Sequence, residues 1–168
     1  RRKNSLEIFK LIKYLTDKNF KINLISIGPF EQENDEYAQE CKRYINENFL
    51  NKYIFNFGYQ PNTSIFYKAS DIYISASIAE GFPNAIIEAM SFSLPPIHSY
   101  LSDTSEYILG EKLSNQLTFK NSSQMYTLIK KYIHDDQKRI NTGADCFERV
   151  KIFDMDKIVL KYKKLLFK

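Results

Sequence analysis

Residues 70–96 read SDIYISASIAEGFPNAIIEAMSFSLPP, and the order of residue types along this stretch decides the fold. Ile72-Tyr73-Ile74 is a short β-rich run of the kind that forms a buried strand. Gly81-Phe82-Pro83 is a tight apolar turn, and Pro83 suits the first turn of a helix, where its missing N–H costs nothing. The chain therefore runs strand, loop, helix. Glu80 falls on the loop, and Glu88 lies about one and a half turns into the helix.

The open amides of such a helix start, with the helix dipole behind them, form an anion site. A carboxylate beside a phosphate-binding site suits a ligand with hydroxyls at one end and phosphates at the other. That is the outline of a nucleotide-sugar.

Strands and helices alternate on both sides of this segment. Ile8, Leu11, Ile12 and Leu15 recur at helical spacing and predict an amphipathic helix over 5–17. The run 22–27 reads as a strand closed by Gly28-Pro29, and 53–57 as the next, closed by Gly58. Helices are predicted over 33–49, 62–69 and 83–92, with a strand at 95–99 after the Pro95-Pro96 break. A short helix at 103–109, a strand at 116–119, and helices around 125–132, 135–150 and 158–166 complete the pattern. Alternation of this kind implies a parallel sheet covered on both faces, with ligands at the carboxyl ends of the strands. The fold class is α/β, yet the chain opens directly on a helix, without the strand expected before it.

A length of 168 residues with 43% hydrophobic and 26% charged residues fits one soluble globular domain. The net charge of +4 suits an anionic ligand or an acidic membrane surface and requires neither; no nucleic acid partner is expected. Cys41 and Cys146 are in no metal spacing and read as free thiols of a reducing compartment. No stretch reads as a signal peptide, and no apolar run approaches the roughly 20 residues that span a bilayer. The expected location is cytoplasmic, or peripheral on the cytosolic membrane face.

The segment DIYIS-x-S-x-x-EGFPNAIIEAM resembles the EX7E signature of retaining glycosyltransferases of family 4, also called group 1. The likeness runs along nearly the whole chain, through Ile27-Gly28, Phe57-Gly58-Tyr59, Ser77, Leu94-Pro95 with Ser99, and Glu106. It implies the GT-B fold, two Rossmann-like domains with the active site between them. Residues 1–168 would be a single domain, the C-terminal donor-binding one, built as a three-layer parallel sheet with helices on both faces. The acceptor-binding N-terminal domain is absent from it. The usual first strand is missing too; the resemblance puts it between the strands at 22–27 and 71–76.

The resemblance also assigns roles. Glu80 would contact sugar hydroxyls and Glu88 the ribose, with Ser77 just before the first acid. The backbone of Gly81, Phe82, Pro83, Asn84 and Ala85 would surround sugar and phosphate, although Pro83 has no N–H to give. Gly58 and Tyr59 would lie beside the base. Lys3 matches the lysine that neutralises the diphosphate, so Glu80 and Lys3 are the expected catalytic pair; the family's companion arginine has no counterpart in residues 1–168. Two positions depart from the pattern: Ser93 replaces a usual glycine, and Ser102-Asp103 replaces a Gly-Gly pair.

The implied activity is transfer of a sugar from a nucleoside-diphosphate sugar to a hydroxyl acceptor with retention, in polysaccharide or glycolipid synthesis. No Asp-x-Asp metal motif is read in the chain, so neither a divalent cation nor another cofactor is expected. The domain alone is expected to bind donor weakly and to transfer nothing without an acceptor-binding domain or subunit. A second reading is a non-catalytic donor-binding subunit of a split enzyme that needs a partner chain. A dinucleotide-dependent oxidoreductase is disfavoured, since Gly28-Pro29-Phe30 supplies one glycine where that fingerprint needs three. A nucleotide-sugar epimerase is disfavoured only by the signature.

Other residues read more plainly. His98 is expected to be a packed strand-end residue, and Phe82 and Phe92 core rather than stacking platforms. Glu31, Glu33, Asp35 and Glu36 form a helix-start cluster without calcium-loop spacing. Lys157, Lys161, Lys164 and Lys168 stripe the last helix opposite its apolar side. Such a stripe is ordinarily a solvated face; contact with an anionic membrane is the functional alternative, and the resemblance adds a return toward the acceptor domain.

Overall fold

A computed structural model describes residues 2–28 and 35–166, apart from the side chains of 155–158, 161 and 165. The turn residues Pro29 and Phe30 and the acids Glu31 and Glu33 lie outside the described residues.

The chain forms α1 (Ser5–Asp17), β1 (Leu24–Ser26), α2 (Glu36–Glu47), a 3-10 turn (Leu50–Lys52), β2 (Ile54–Asn56), α3 (Ser64–Lys68) and β3 (Tyr73–Ser75). It continues through α4 (Asn84–Ser91), β4 (Pro96–Ser99), α5 (Asp103–Leu117), β5 (Thr118–Phe119), α6 (Ser122–His134) and α7 (Asp136–Val150). A 3-10 turn (Lys151–Phe153) and α8 (Met155–Leu166) end it. Local chemistry fixes the helix starts: Asp35 accepts from the Tyr37 amide at 3.0 Å, and Asn121 from the Gln124 amide at 3.0 Å.

All strand pairs are parallel, as the alternation predicts. β1 pairs with β2, Leu24 opposite Ile54, and β3-β4-β5 form a second sheet, with Ile74 opposite Ile97 and His98 opposite Thr118. Helices flank both sheets, α1 packing with α2 and α6, and α7 with α4 and α5. This is the expected Rossmann-like layering. Among the described residues the two sheets stay separate, with no strand joining β1 to β3.

Two cores follow from the two sheets. The larger gathers Ala76, Ile86, Met90, Ile97, Ile108 and Leu117 with helix residues around them; the smaller holds Phe9, Ile12, Cys41, Ile45 and Leu50. α1 serves both, since Leu11 and Leu15 face the larger and Phe9 and Ile12 the smaller. Cys41 and Cys146 are buried free thiols.

Three departures from the expected elements have local causes. The helix predicted at 103–109 breaks at Gly110, whose φ is 73°, and then resumes to Leu117, which confines β5 to Thr118–Phe119. Arg149 of α7 caps the break, donating to the carbonyls of Ile108 at 3.0 Å and Tyr107 at 2.7 Å. Ser93 closes α4 in a left-handed turn, φ 58°, with the Leu94 amide donating to Ala89 at 3.0 Å and the Ser93 amide to Met90 at 3.0 Å. That Schellman geometry is why a glycine is usual there. Ser102, φ 56° and ψ −144°, likewise occupies a conformation that belongs to glycine.

Candidate functional site

Most of the residues singled out above follow the carboxyl ends of β1, β2 and β3 in the chain. β1 and β2 end at Gly28 and Gly58, where the Gly28 amide donates to the Gly58 carbonyl at 2.8 Å. Gly58 adopts φ 63°, and its amide donates to the Asn56 side chain at 3.1 Å. The Tyr59 ring beside it is 79% exposed.

β3 ends in the buried Ser77, whose hydroxyl lies 3.1 Å from that of Ser75 and whose carbonyl accepts from the Ser99 hydroxyl. Three residues on, Glu80 accepts from Lys3 Nζ at 2.7 Å; the lysine side chain is 71% exposed and the glutamate 18%. The Ile78 amide donates to the Arg2 carbonyl at 2.9 Å, which holds the segment before α1 against this loop. Burial would raise the Glu80 carboxyl, but hydrogen bonds from Lys3 and Ser77 and the charges of Lys3 and Arg2 outweigh it and hold it below the usual carboxylate value.

Pro83 sits at φ −81° and ψ 78°, an inverse γ-turn in which the Asn84 amide donates to the Phe82 carbonyl at 3.0 Å. The Asn84 N–H expected to face a ligand is thus turned onto the protein. Gly81 stands in open space. Phe82 corrects the expectation of a core residue: the turn throws its ring outward, 48% exposed, edge-on to Phe153 at 6.2 Å. Phe92, also expected in the core, is half-buried and stacks on Tyr67 at 5.4 Å, outside the two cores.

Glu88 is exposed on α4 and accepts from the Tyr67 hydroxyl of α3 at 3.0 Å; the same hydroxyl reaches the Ala85 carbonyl at 3.5 Å. Burial, and then the Glu88 charge, push the Tyr67 phenol upward, so it stays a donor. Tyr67 was not singled out by the sequence reading, because no spacing rule links a short helix to an acid 21 residues later.

A recess of about 470 Å³ opens beside this loop, walled by Asn4, Ser77, Ser99 and Asn121 but by neither acid. His98 is buried as expected, its Nδ1 2.8 Å from the Ser99 carbonyl, and burial drives its pKa down to about 4. Among the described residues no group of His, Cys, Asp or Glu could hold a metal. One Asp-x-Asp spacing does occur, Asp154-Met155-Asp156, contrary to the sequence reading; it stands at the turn into α8, and the Asp156 side chain lies outside the described residues. No described helix is long and apolar enough to cross a membrane. On α8, Val159, Leu160, Tyr162 and Leu166 are exposed beside Lys163 and Lys164, so apolar and basic groups share its described surface. The side chains of Lys157 and Lys161, and Lys168, lie outside the described residues.

The geometry defines a parallel α/β domain with its polar groups at the strand ends, and comparison with known proteins gives it a family. The chain belongs to the group 1 glycosyl transferases, whose family model matches residues 1–145. It is 27% identical to an uncharacterized glycosyltransferase of Methanocaldococcus jannaschii, an alignment covering 95% of this chain and 45% of that protein. The crystal structure of Anabaena HepE in complex with UDP superposes with a TM-score of 0.84 at 19% identity, over 98% of this chain and 45% of that one. Sucrose-phosphate synthase of Thermosynechococcus elongatus gives 0.82 at 18%, over 99% and 42%. A variant of S. aureus TarM in complex with fondaparinux, alpha-GlcNAc-glycerol and UDP gives 0.82 at 16%, over 98% and 33%. Identities this low show a shared GT-B fold. The chain spans less than half the length of each of these relatives.

Proposed function

We propose that this chain is the donor-binding half of a retaining glycosyltransferase that moves a sugar from a nucleoside-diphosphate sugar to a hydroxyl acceptor. The observation that carries the reading is the meeting of Lys3 and Glu80 at 2.7 Å across 77 residues of sequence, at the turn that opens α4. A cation and a carboxylate held together there offer one group to a diphosphate and one to sugar hydroxyls. Tyr67 of α3 holds the Glu88 carboxylate on α4, and a carboxylate there suits the hydroxyls of a ribose. UDP in the HepE and TarM structures supports a nucleotide donor.

As the bond from the anomeric carbon to the diphosphate oxygen breaks, negative charge grows on the leaving group. Lys3 and the loop amides stabilise that charge as it develops. The acceptor oxygen bonds to the same face of the anomeric carbon, and its proton passes to the departing phosphate oxygen. No metal takes part in this scheme. Transfer requires the acceptor-binding half, and the exposed Val159, Leu160, Tyr162 and Leu166 of α8 support contact of that helix with that half or with an anionic membrane on the cytosolic side.

The test is calorimetric titration with UDP-, GDP- and ADP-sugars and with NAD, on the chain and on Glu80→Ala and Glu88→Ala. One nucleotide-sugar should bind and NAD should not. Each substitution should weaken binding about tenfold or more, the loss of a charged hydrogen bond, with the circular dichroism spectrum unchanged. Unchanged affinity in both variants refutes the site.

A further inference from the structure

The turn between β3 and α4 is tied at both ends and open in the middle. At one end the Ile78 amide donates to the Arg2 carbonyl at 2.9 Å, and Lys3 meets Glu80 at 2.7 Å. At the other, the carbonyl of the buried Pro83 accepts from the Ile86 amide at 3.0 Å and joins the turn to α4. Between them, the Gly81 and Phe82 amides donate to no carbonyl among the described residues. The space beside the Gly81 Cα is open. The middle of the turn therefore leans on the Phe82 ring, which meets Phe153 edge-on at 6.2 Å and 68°.

Phe153 is built as a fixed post. It closes the 3-10 turn after α7, half-buried, and packs against the larger core. A second ring, Tyr107 of α5, meets it edge-on at 5.8 Å and 64°. Contacts of this kind set a ring's direction as well as its place, because the positive edge of one ring seeks the negative face of the other. Arg149, near the end of α7, donates to the Tyr107 and Ile108 carbonyls at 2.7 and 3.0 Å, which clamps the approach to Phe153 onto α5. Phe153 lies beyond residues 1–145, which the family model matches, and no spacing in the sequence links it to Phe82.

We propose that Phe153 is a positioning residue for the Gly81-Phe82 turn: through the Phe82 ring it holds two free N–H groups at the mouth of α4, available to the diphosphate of a donor. The amides of a mobile turn must be ordered each time a ligand arrives, and that entropy is subtracted from affinity. Amides held in advance bind without that loss. Phe153 touches no ligand in this scheme; it acts through Phe82. The diphosphate rests on the function proposed above, whereas the hold on the turn stands without it.

The experiment compares the isotope-labelled chain with Phe82→Ala, Phe153→Ala, the two combined, and Phe153→Tyr, which keeps the ring. NMR order parameters of the Gly81 and Phe82 amides are read without ligand. They should fall from about 0.85 in the native chain to below about 0.6 in Phe153→Ala and stay high in Phe153→Tyr, with α4 and α5 unchanged. Calorimetry with UDP-, GDP- and ADP-glucose gives the second reading. Affinity for whichever binds should drop about tenfold in Phe153→Ala, as much in Phe82→Ala, and no further in the combined variant. Unchanged order parameters in Phe153→Ala overturn the proposal, and so do losses of affinity that add. If the alanine variant does not fold, Phe153→Leu, which keeps apolar bulk without the ring, takes its place under the same criteria. Failure of both to fold makes Phe153 a core residue and also overturns it. A native chain that binds none of the three compounds refutes the proposed donor instead, and the order parameters alone then decide the role of Phe153.

Discussion

The half built on β3, β4 and β5 and the half built on β1 and β2 use the same unit, a parallel strand followed by a helix, with different results. β4 has strands on both sides and buries Pro96, Ile97 and His98; β2 has one neighbour among the described residues and leaves Phe55 and Asn56 exposed. In the larger half α4, α5, α6 and α7 surround the core, while the smaller rests on α1, α2 and the turn at Leu50–Lys52. Burial in such a sheet depends on sideways neighbours as much as on helices above and below. Of the residues singled out in the sequence, Gly58 and Tyr59 follow β2 in one half, and Glu80 and Glu88 follow β3 in the other.

Acid should erode the advantage of the larger half first. His98 of β4 is buried and neutral in the folded state, with a pKa near 4 against 6.5 when unfolded. Above pH 6.5 both states are neutral and stability is full. As the pH falls from 6.5 toward 4 the unfolded chain binds a proton that the native one refuses, so stability is lost, by about 3 kcal/mol in total. The depressed carboxyls of Glu7 and Glu80 act only below their ordinary value of 4.5, so the loss above that pH belongs to His98. Urea unfolding at stepped pH should show the drop in the native chain and a flat response in His98→Leu between pH 6.5 and 4.5.

Packing in the same half is tight enough to reverse a propensity rule. Gly143 is inside α7, where alanine ordinarily gains about 1 kcal/mol. A Cβ there would stand 2.0 Å from the Ser93 carbonyl oxygen, a backbone atom that closes α4. Contact outweighs propensity, and Gly143→Ala should lower the unfolding free energy by about 2 kcal/mol. A stabilised variant would mean that α4 and α7 pack loosely.

The alternation of strands and helices was legible because burial period and turn residues agree; α1 starts and ends where its periodicity does. Glu80, Gly81 and Glu88 were legible as a group because they are close in sequence and sit on one strand-loop-helix unit. What escaped was set by distant partners. The break at Gly110 is satisfied by Arg149, 41 residues beyond the Ile108 carbonyl that it caps. Tyr67 reaches Glu88 only because α3 and α4 meet in three dimensions. Phe82 looked like core by residue type alone, yet the γ-turn at Pro83 points it outward. The serines at 93 and 102 depart from the family pattern, and their positive φ values are the reason glycine is usual there.

Those serines give a gentler test, on the connections rather than the cores. Ser102 holds φ 56° with ψ −144°, a region that costs a non-glycine residue about 1–3 kcal/mol. Ser102→Gly removes that strain and adds about 0.5–1 kcal/mol of unfolded-state entropy. A net gain near 1 kcal/mol is expected in urea unfolding. Ser93→Gly, in the milder left-handed helical region at φ 58°, should gain less.

The smallest effect on stability belongs to the Lys3–Glu80 pair. Lys3 is 71% exposed, so its bond to Glu80 is screened by water and salt, and Lys3→Ala should change the unfolding free energy by less than about 0.5 kcal/mol. Donor binding should respond in the opposite proportion. With its lysine gone, Glu80 stays a carboxylate in a half-buried turn beside an incoming diphosphate, and two like charges then share the mouth of α4. Affinity for the nucleotide-sugar should fall about tenfold, with a weaker dependence on ionic strength than the native chain shows. A variant that lost stability but kept its affinity would make Lys3–Glu80 a brace holding the segment before α1 to the β3 loop, and would leave the donor phosphates to the backbone alone.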